Sequence, residues 1–420
     1  MTDLLVIGAG LSGLMAAYTA AQAGQKVTVI AKGLGAIHWT PATVDLFGYA
    51  PDRSPIPRPL DFIDRLGDDH PAHPYALLGE KRVAAAVATF QTLSEQIGLP
   101  YGGAATSGNN LLLPSPAGAA RPTFLAPQAQ ANGDLSRPEP MLIVGFEGLR
   151  DFYPHLIAEN LRAQGYTARS VLLPFALLTD RHDSNSVQQA RGLEEPKRLA
   201  ALAQALKKAV HPGERIGMPA ILGLDHHAQV LADLQSQTGA TLFEIPTLPP
   251  SVPGMRLFAA LRRKLSEMGV SVYPNMTVID FKANNGVIEW VASETSGRPL
   301  KHRAAAYLLA TGGILGGGFN SDHTGRAWEV VFDLPLTIPQ QRSAWFAPQF
   351  LSPTGHPVFN GGVTVNRNFQ PTGEGGQPVY ANLWAAGNLL ADNDAILQRS
   401  LEGIAITTGV AAAQAITHPA

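Results

Sequence analysis

Apolar residues open the chain in a short block, Leu4-Leu5-Val6-Ile7, that stops at Gly8-Ala9-Gly10-Leu11-Ser12-Gly13. A brief apolar run closed by glycine is the pattern of a strand buried on both faces. The small-residue stretch from Leu14 to Ala23 reads as a helix stopped by Gly24, and Val27-Thr28-Val29-Ile30 as a second strand. Strand, glycine turn, helix and strand within about 30 residues make a βαβ unit.

Further along, residues 51–140 are rich in Pro, Gly and Ala, with helical patterns near 58–66 and 79–97. Met141–Gly145 and 168–173 read as strands around a helix at 150–164, and 215–218 and 241–245 as strands around a helix at 226–237, preceded by a Lys-rich helix at 196–210. This makes a second α/β region. An amphipathic helix over 254–269 leads to strands at 270–272, 277–281 and 287–292, the last two joined by Asn284-Asn285-Gly286, a strong hairpin signal. Ala306–Ala310 runs into Thr311-Gly312-Gly313, and Leu383-Trp384-Ala385-Ala386 into Gly387, before a final small-residue helix over 402–416.

Composition narrows the chemistry. The 31 Lys+Arg against 33 Asp+Glu give a net charge of −2, so no basic stripe suggests nucleic acid as a partner. No 18-residue apolar run is free of breaks, so no transmembrane span is expected. Met1-Thr2-Asp3 lacks the basic start of a signal peptide, which makes a cytoplasmic location the expectation. The chain has 0 Cys, which excludes disulfides and cysteine-ligated iron–sulfur clusters; any electrons it moves need an organic carrier. His226-His227 point to different helix faces and no carboxylate completes a ligand set, so no metal is expected.

The Gly8, Gly10 and Gly13 spacing, placed between a strand and a helix, fits a pyrophosphate site: one glycine for the turn, one for close approach of the ligand, one for helix–strand packing, with Leu11 and Ser12 in the first turn. The acidic residue that usually holds the ribose is missing; the second strand ends in Lys32, and the first carboxylate beyond it is Asp45. Either backbone and Lys32 hold an adenosine end, or the cofactor is FMN. Two later glycine motifs, Gly312-Gly313 and Gly387, also end strands, and three such motifs in this order indicate a flavin. The expected fold is α/β: a Rossmann-like FAD/NAD(P)-binding flavoprotein fold of three layers about a parallel sheet. Residues 1–50, 251–330 and 370–420 would form the flavin-binding domain, and 51–250 with 331–369 an inserted substrate or partner domain.

The chain resembles the B component, a flavoprotein subunit, of anaerobic glycerol-3-phosphate dehydrogenases over nearly its whole length. The segments carrying this are Ala36-Ile37-His38-Trp39-Thr40 with Val44-Asp45-Leu46, His73-Pro74-Tyr75, Val144 to Phe152, Ala190-Arg191 with Leu193-Glu194, Pro246 to Leu257, and Gly312-Gly313 with Gly316-Gly317-Gly318. It departs from that family at Ala391-Asp392-Asn393-Asp394 and Arg399-Ser400-Leu401-Glu402, where a glycine-rich turn is usual. The resemblance implies oxidation of sn-glycerol 3-phosphate to dihydroxyacetone phosphate, with electrons going to a quinone. It also implies FMN as the recorded flavin, although FAD suits the fold equally. The implied partners are a second flavoprotein subunit and an iron–sulfur, membrane-associated subunit, with no nucleic acid and attachment to the membrane only through that partner. An electron-relay subunit without its own substrate site, and a free-standing flavin oxidoreductase on another hydroxy or amino acid, remain as alternatives.

Individual residues carry paired readings. His38 and Thr40 fall where related flavoproteins approach the flavin; His38 is otherwise a hydrogen-bonded loop residue. Arg256, after the stiff Pro249-Pro250-Ser251-Val252-Pro253-Gly254 loop, either clamps the substrate phosphate or ties the loop to a carboxylate. Arg399 has the same two readings, with a flavin phosphate as the ligand. His356 is the candidate base for the substrate hydroxyl, or else a structural loop histidine.

Overall fold

Five short strands rich in Val, Ile, Leu and Ala form one parallel sheet: β1 (Thr2–Ile7), β2 (Val27–Ile30), β3 (Ser271–Tyr273), β4 (Ala304–Leu309) and β5 (Leu383–Ala385). Their spatial order is β3-β2-β1-β4-β5. Val6 lies between Val29 and Leu308 in register, and Leu4 to Ile7 are buried, as a strand covered on both faces requires. Helix α1 (Leu11–Gln22) follows β1, and α2 (Leu401–Thr417), built mostly of Ala, Gly, Thr and Ile, packs against it. The approach is close because Gly409 is bare there: a Cβ on it would stand 2.4 Å from the Ser12 carbonyl oxygen.

The structure is a computed structural model that describes residues 2–103, 108–181 and 184–418. Its contacts divide the chain into two units. Unit 1, which holds this sheet, comprises Met1–Ala36, Asp45–Leu93 and Leu261–Ala420; unit 2 comprises Ile37–Val44 and Ser94–Ala260. Unit 1 also carries an antiparallel sheet of Val278–Asn284, Val287–Ser293 and Leu300–His302. Its hairpin turns at Asn285 (φ 50°) and Gly286 (φ 74°), the left-handed pair that Asn-Gly favours.

Unit 2 has its own parallel sheet of Met141–Phe146, Ala168–Leu173, Arg215–Pro219 and Leu242–Ile245. Counted along the chain its strands lie in the order fourth, third, first, second. Leu142, Val144, Ile216 and Leu242 pack on one side with the helices Pro196–Ala209 and His227–Thr238. Ile143 and Phe243 pack on the other, with Ile157 and Leu161 of Pro154–Ala163.

The expected domain boundaries differ from these units. Residues 51–93 and 331–369, assigned by sequence to the insert, belong to unit 1. The reason is visible in pairings that periodicity does not reveal: Arg53 Nε donates to the Pro353 carbonyl (2.8 Å), Leu336–Thr337 pairs with Gly362–Val363, and Val363 N–H donates to Leu389 just beyond β5. Among the described residues no helix is long and apolar enough to cross a membrane.

Candidate flavin site

In a doubly wound sheet, ligands bind beyond the carboxyl ends of the strands where the winding reverses. In unit 1 that point lies between β1 and β4, since the chain leaves β1 toward β2 and later places β4 on the other side. The glycine motifs stand there, each for a different steric reason. Gly8 has φ 124°, and a Cβ on it would lie 2.2 Å from the Ala310 carbonyl oxygen. Gly13 would collide with the Gly8 carbonyl oxygen at 2.0 Å. Gly10, by contrast, faces open space with no atom within 4 Å of its Cβ position, while Gly35 of the turn after β2 packs against its other side.

Gly10 is also the N-cap of α1. No side chain caps this helix end and no acid stands in its first turn. The first amides of a helix have no intrahelical acceptor, so the positive end of α1, at Leu11, Ser12 and Gly13, is open to an anion.

The two later motifs converge on the same edge. Gly313 lets the Asn388 carbonyl approach, and Gly387 faces the Ser12 side chain while its N–H donates to Thr408 Oγ1 (2.8 Å). Around them Ser12 Oγ, Thr311 Oγ1 and Asn388 Oδ1 are buried without a hydrogen-bond partner. Buried polar atoms are almost always satisfied. Three unsatisfied ones at a switch point, beside an open helix end, fit a ligand that carries phosphates and hydroxyls. Thr311, Asn388 and Gly35 were not singled out by sequence; Thr311 and Asn388 adjoin glycines that were, but single polar residues beside a glycine carry no distinctive pattern.

Lys32 lies at the end of this edge and is exposed. Arg399 has a left-handed backbone (φ 53°), and its Nη2 sits 2.8 Å from Asp45 Oδ2, its aliphatic stem lying against the bare Gly48. The turn before α2 is braced further by His73. Its Nδ1 accepts the Tyr75 N–H and its Nε2 donates to Gln398 Oε1 (3.2 Å); burial drives its pKa down to about 4, so it is neutral. Tyr75 Oη is buried beside Gly403 without a partner, and burial, with Glu402 and Asp45 nearby, pushes its pKa up.

His356, expected as a base, has both ring nitrogens engaged: Nδ1 accepts the Ala347 N–H (3.0 Å) and Nε2 donates to the Phe350 carbonyl (3.0 Å). This is the geometry of its structural reading.

His38, Thr40 and Arg256 belong to unit 2, whereas the glycine motifs belong to unit 1. The His38 carbonyl accepts the Ser251 N–H (2.8 Å), its ring lies on Phe258 (4.7 Å between centroids), and burial lowers its pKa. Its Nε2 is buried without a partner. Thr40 lies beside Gly254, whose missing side chain makes room for the Thr40 and Ile37 carbonyls. Arg256 is buried and bidentate to Glu244 (2.7 and 2.9 Å), and its Nε donates to the Gly223 carbonyl (2.8 Å). Burial, the largest single influence, would raise the Glu244 carboxyl; the Arg256 and His227 charges and the hydrogen bonds from Arg256 and Leu222 together outweigh it and hold the carboxyl low. A phosphate clamp needs free donors, and here a carboxylate already holds them, so the expected clamp gives way to the tie between loop and carboxylate.

Unit 2 has a helix end of its own at the start of His227–Thr238. In the turn just ahead of it Glu194 Oε1 accepts three consecutive backbone N–H groups, from Leu224 (2.8 Å), Asp225 (2.6 Å) and His226 (2.7 Å), while the helix itself has no side-chain cap.

The comparisons with known proteins agree with the geometry of unit 1. The chain matches the FAD binding domain family over residues 3–399. It is 34% identical to a protein of Halobacterium salinarum named as the probable B component of an anaerobic glycerol-3-phosphate dehydrogenase, an alignment covering 99% of this chain and 97% of that protein. Proteins named as the same component of anaerobic glycerol-3-phosphate dehydrogenase are 30% identical in Pectobacterium atrosepticum (99% and 98% covered) and 29% identical in Aliivibrio fischeri (99% and 95% covered). The cofactor supported by this family is a flavin, and the open edge of unit 1 has donors and unsatisfied polar atoms that suit one.

Proposed function

The chain belongs to the family of the B component of anaerobic glycerol-3-phosphate dehydrogenase, and from that premise we propose that it serves the oxidation of sn-glycerol 3-phosphate to dihydroxyacetone phosphate. In this reading it works inside a complex with a second flavoprotein subunit and an iron–sulfur subunit, which carry the electrons on to a quinone at the inner face of the cell membrane. The observation that carries a flavin role for this chain is the open edge of unit 1: an uncapped helix end at Gly10 with Ser12 Oγ, Thr311 Oγ1 and Asn388 Oδ1 unsatisfied beside it.

A bound flavin supplies an acceptor for two electrons and a proton. The chain's residues do the holding. The amides of Leu11, Ser12 and Gly13 would bind the phosphates, and the three unsatisfied polar atoms the sugar-like hydroxyls. The Arg399–Asp45 pair and His73 fix the turn that starts α2. Lys32 is placed to meet a phosphate or adenosine end.

One observation favours a narrower reading, in which this chain relays electrons and the partner flavoprotein oxidises the substrate. The two residues expected to do the chemistry, His356 and Arg256, have their nitrogens committed to the protein itself. The deciding experiment uses the purified chain. Its flavin is released and weighed, which separates FAD from FMN, and the bound chromophore is mixed anaerobically with glycerol 3-phosphate. Bleaching on the turnover timescale establishes a dehydrogenase in its own right. A flavin that stays oxidised with substrate, reduces with dithionite, and bleaches only when the partner flavoprotein is added establishes the relay.

A further inference from the structure

Unit 2 holds a group of buried polar side chains that the flavin edge does not use. The segment Pro41-Ala42-Thr43-Val44 runs beside the end of the strand Ala120–Thr123, which is one arm of a hairpin with Leu111–Pro114. Its carbonyls are held firmly. Pro41 accepts from Gln130 Nε2 (2.7 Å), Ala42 from Tyr101 Oη (2.6 Å), and Val44 from the Phe124 (3.1 Å) and Leu125 (3.0 Å) N–H groups. Ala42 is left-handed, with φ 62°. A residue with a Cβ keeps that conformation only where its surroundings over-determine it, and such residues gather at ligand sites.

This framework fixes Thr43 against Arg121, whose Nη1 donates to Thr43 Oγ1 (3.5 Å). Arg121 and Thr123, two apart on one strand, share a face of the hairpin. Thr43, Arg121, Thr123 and Gln130 are each no more than 8% exposed. Among the described residues Thr123 Oγ1 and Gln130 Oε1 have no hydrogen-bond partner. Buried polar atoms are almost always satisfied, so two unsatisfied ones grouped with a buried guanidinium point to a ligand. The charges say of which kind. The two segments that build the group, 37–44 and 101–133, contain no Asp or Glu, and Arg121 is their one Lys or Arg. The carboxylates that follow them are engaged elsewhere: Asp45 with Arg399 (2.8 Å), and Asp134 with the Leu112 (3.2 Å) and Ser136 (3.3 Å) N–H groups.

We propose that Arg121, Thr43 and Thr123 bind the phosphate of the substrate and that Gln130 accepts a hydroxyl of its carbon chain. The group is then the polyol-phosphate subsite that Arg256 does not supply. A guanidinium flanked by two hydroxyl donors suits a phosphate monoester. The Gln130 amide, whose Nε2 is turned to Pro41, presents Oε1 as an acceptor for a hydroxyl. The proposal rests on the reading that this chain serves the oxidation of glycerol 3-phosphate, and within that reading it makes the chain bind the substrate itself.

The test is a calorimetric titration of the flavin-loaded full chain with sn-glycerol 3-phosphate, inorganic phosphate and glycerol. Wild type should bind glycerol 3-phosphate at least about tenfold more tightly than inorganic phosphate, and glycerol not measurably. Arg121→Met should weaken glycerol 3-phosphate about 100-fold. Thr123→Val keeps the shape and removes a buried, unsatisfied hydroxyl, so affinity should fall about tenfold while the melting midpoint holds or rises. The proposal is overturned if wild type does not bind glycerol 3-phosphate, if it binds inorganic phosphate as tightly, or if Thr123→Val binds as wild type does. It is also overturned if Thr123→Val sheds its flavin, which would give the group to the cofactor. Turnover by the chain assembled with its partner subunits keeps the two readings apart. Thr123→Val at the wild-type KM sinks the subsite alone, whereas a wild-type complex that leaves glycerol 3-phosphate unoxidised sinks the functional reading and the subsite with it.

Discussion

The two parallel sheets of this protein end in the same kind of place and treat it in opposite ways. In unit 1 the helix after β1 begins at Gly10 with no side-chain cap and no acid in its first turn. In unit 2 the helix His227–Thr238 likewise has no side-chain cap and no acid in its first turn, but the three amides of the turn leading into it, from Leu224, Asp225 and His226, converge on Glu194, a carboxylate supplied by the same chain. Both are electropositive helix ends at the carboxyl edge of a wound sheet. The difference lies in the turn ahead of the helix: a carboxylate of the chain already occupies it in unit 2, and none does in unit 1.

Substitutions at Gly10 and Gly13 test the open end and should have the largest effects. Gly10→Val projects into open space, so the apoprotein should melt as wild type does while flavin content falls below about a tenth, read from the absorption spectrum. Gly13→Ala drives a methyl into the Gly8 carbonyl and should cost the fold as well. A Gly10→Val protein that keeps its flavin would end the comparison.

Next comes the pair that replaced the expected phosphate clamp. Arg256→Met strands a buried carboxylate and should cost about 3–5 kcal/mol in denaturant titrations. Adding Glu244→Leu should recover most of that, which a substrate-binding arginine would not allow.

His73 gives unit 1 an acid sensitivity. Its pKa is about 4 when folded and near 6.5 when unfolded, so the unfolded state takes up its proton first on acidification. Stability is full above pH 6.5, falls by about 3 kcal/mol as pH drops to 4, and is flat in this contribution below. His73→Asn keeps an acceptor for the Tyr75 N–H and does not titrate, so the difference between the two proteins should follow that window. His227 in unit 2, also depressed by burial, is common to both proteins and cancels.

The closed end responds more mildly. Glu194→Gln should cost about 2 kcal/mol and leave flavin stoichiometry unchanged. Loss of flavin in this variant would mean that the two edges are not separate in function. Lys32→Ala, on an exposed side chain, should shift flavin affinity by less than about threefold.

This contrast also shows what could be read from the chain alone. The open edge was legible because its cause is local: Gly8, Gly10 and Gly13 sit between a strand and a helix whose patterns are unmistakable. The parallel sheets and most helices were legible for the same reason. The closed edge was not, because Glu194 binds backbone amides, and amides have no signature in a sequence. The partners of Arg256 and Arg399 were hidden in another way. Each was recognised as either a ligand clamp or a structural tie, and the positions of their partners, Glu244 for Arg256 and Asp45, more than 350 residues away, for Arg399, carry no local signal in the sequence. The boundaries near 51–93 and 331–369 failed likewise, since loops rich in Pro and Gly carry no periodicity to say which sheet they will border.

The order of the strands has a last consequence, for the making of the protein. Unit 2 is complete once residue 260 has been translated. The cofactor edge waits for Gly387 and Gly409 to meet Ser12, some 375 to 397 residues after Ser12 has left the ribosome. At elongation rates of about 5–20 residues per second, that is roughly 20 to 80 s. β1 gains its neighbour β4 only after residue 309, and α1 lacks the helix that covers it until residues 401–417 are made. A nascent chain cut short anywhere before its last helix therefore carries the whole phosphate-binding glycine turn and no means of closing it. The edge itself is therefore complete only once that helix has been made.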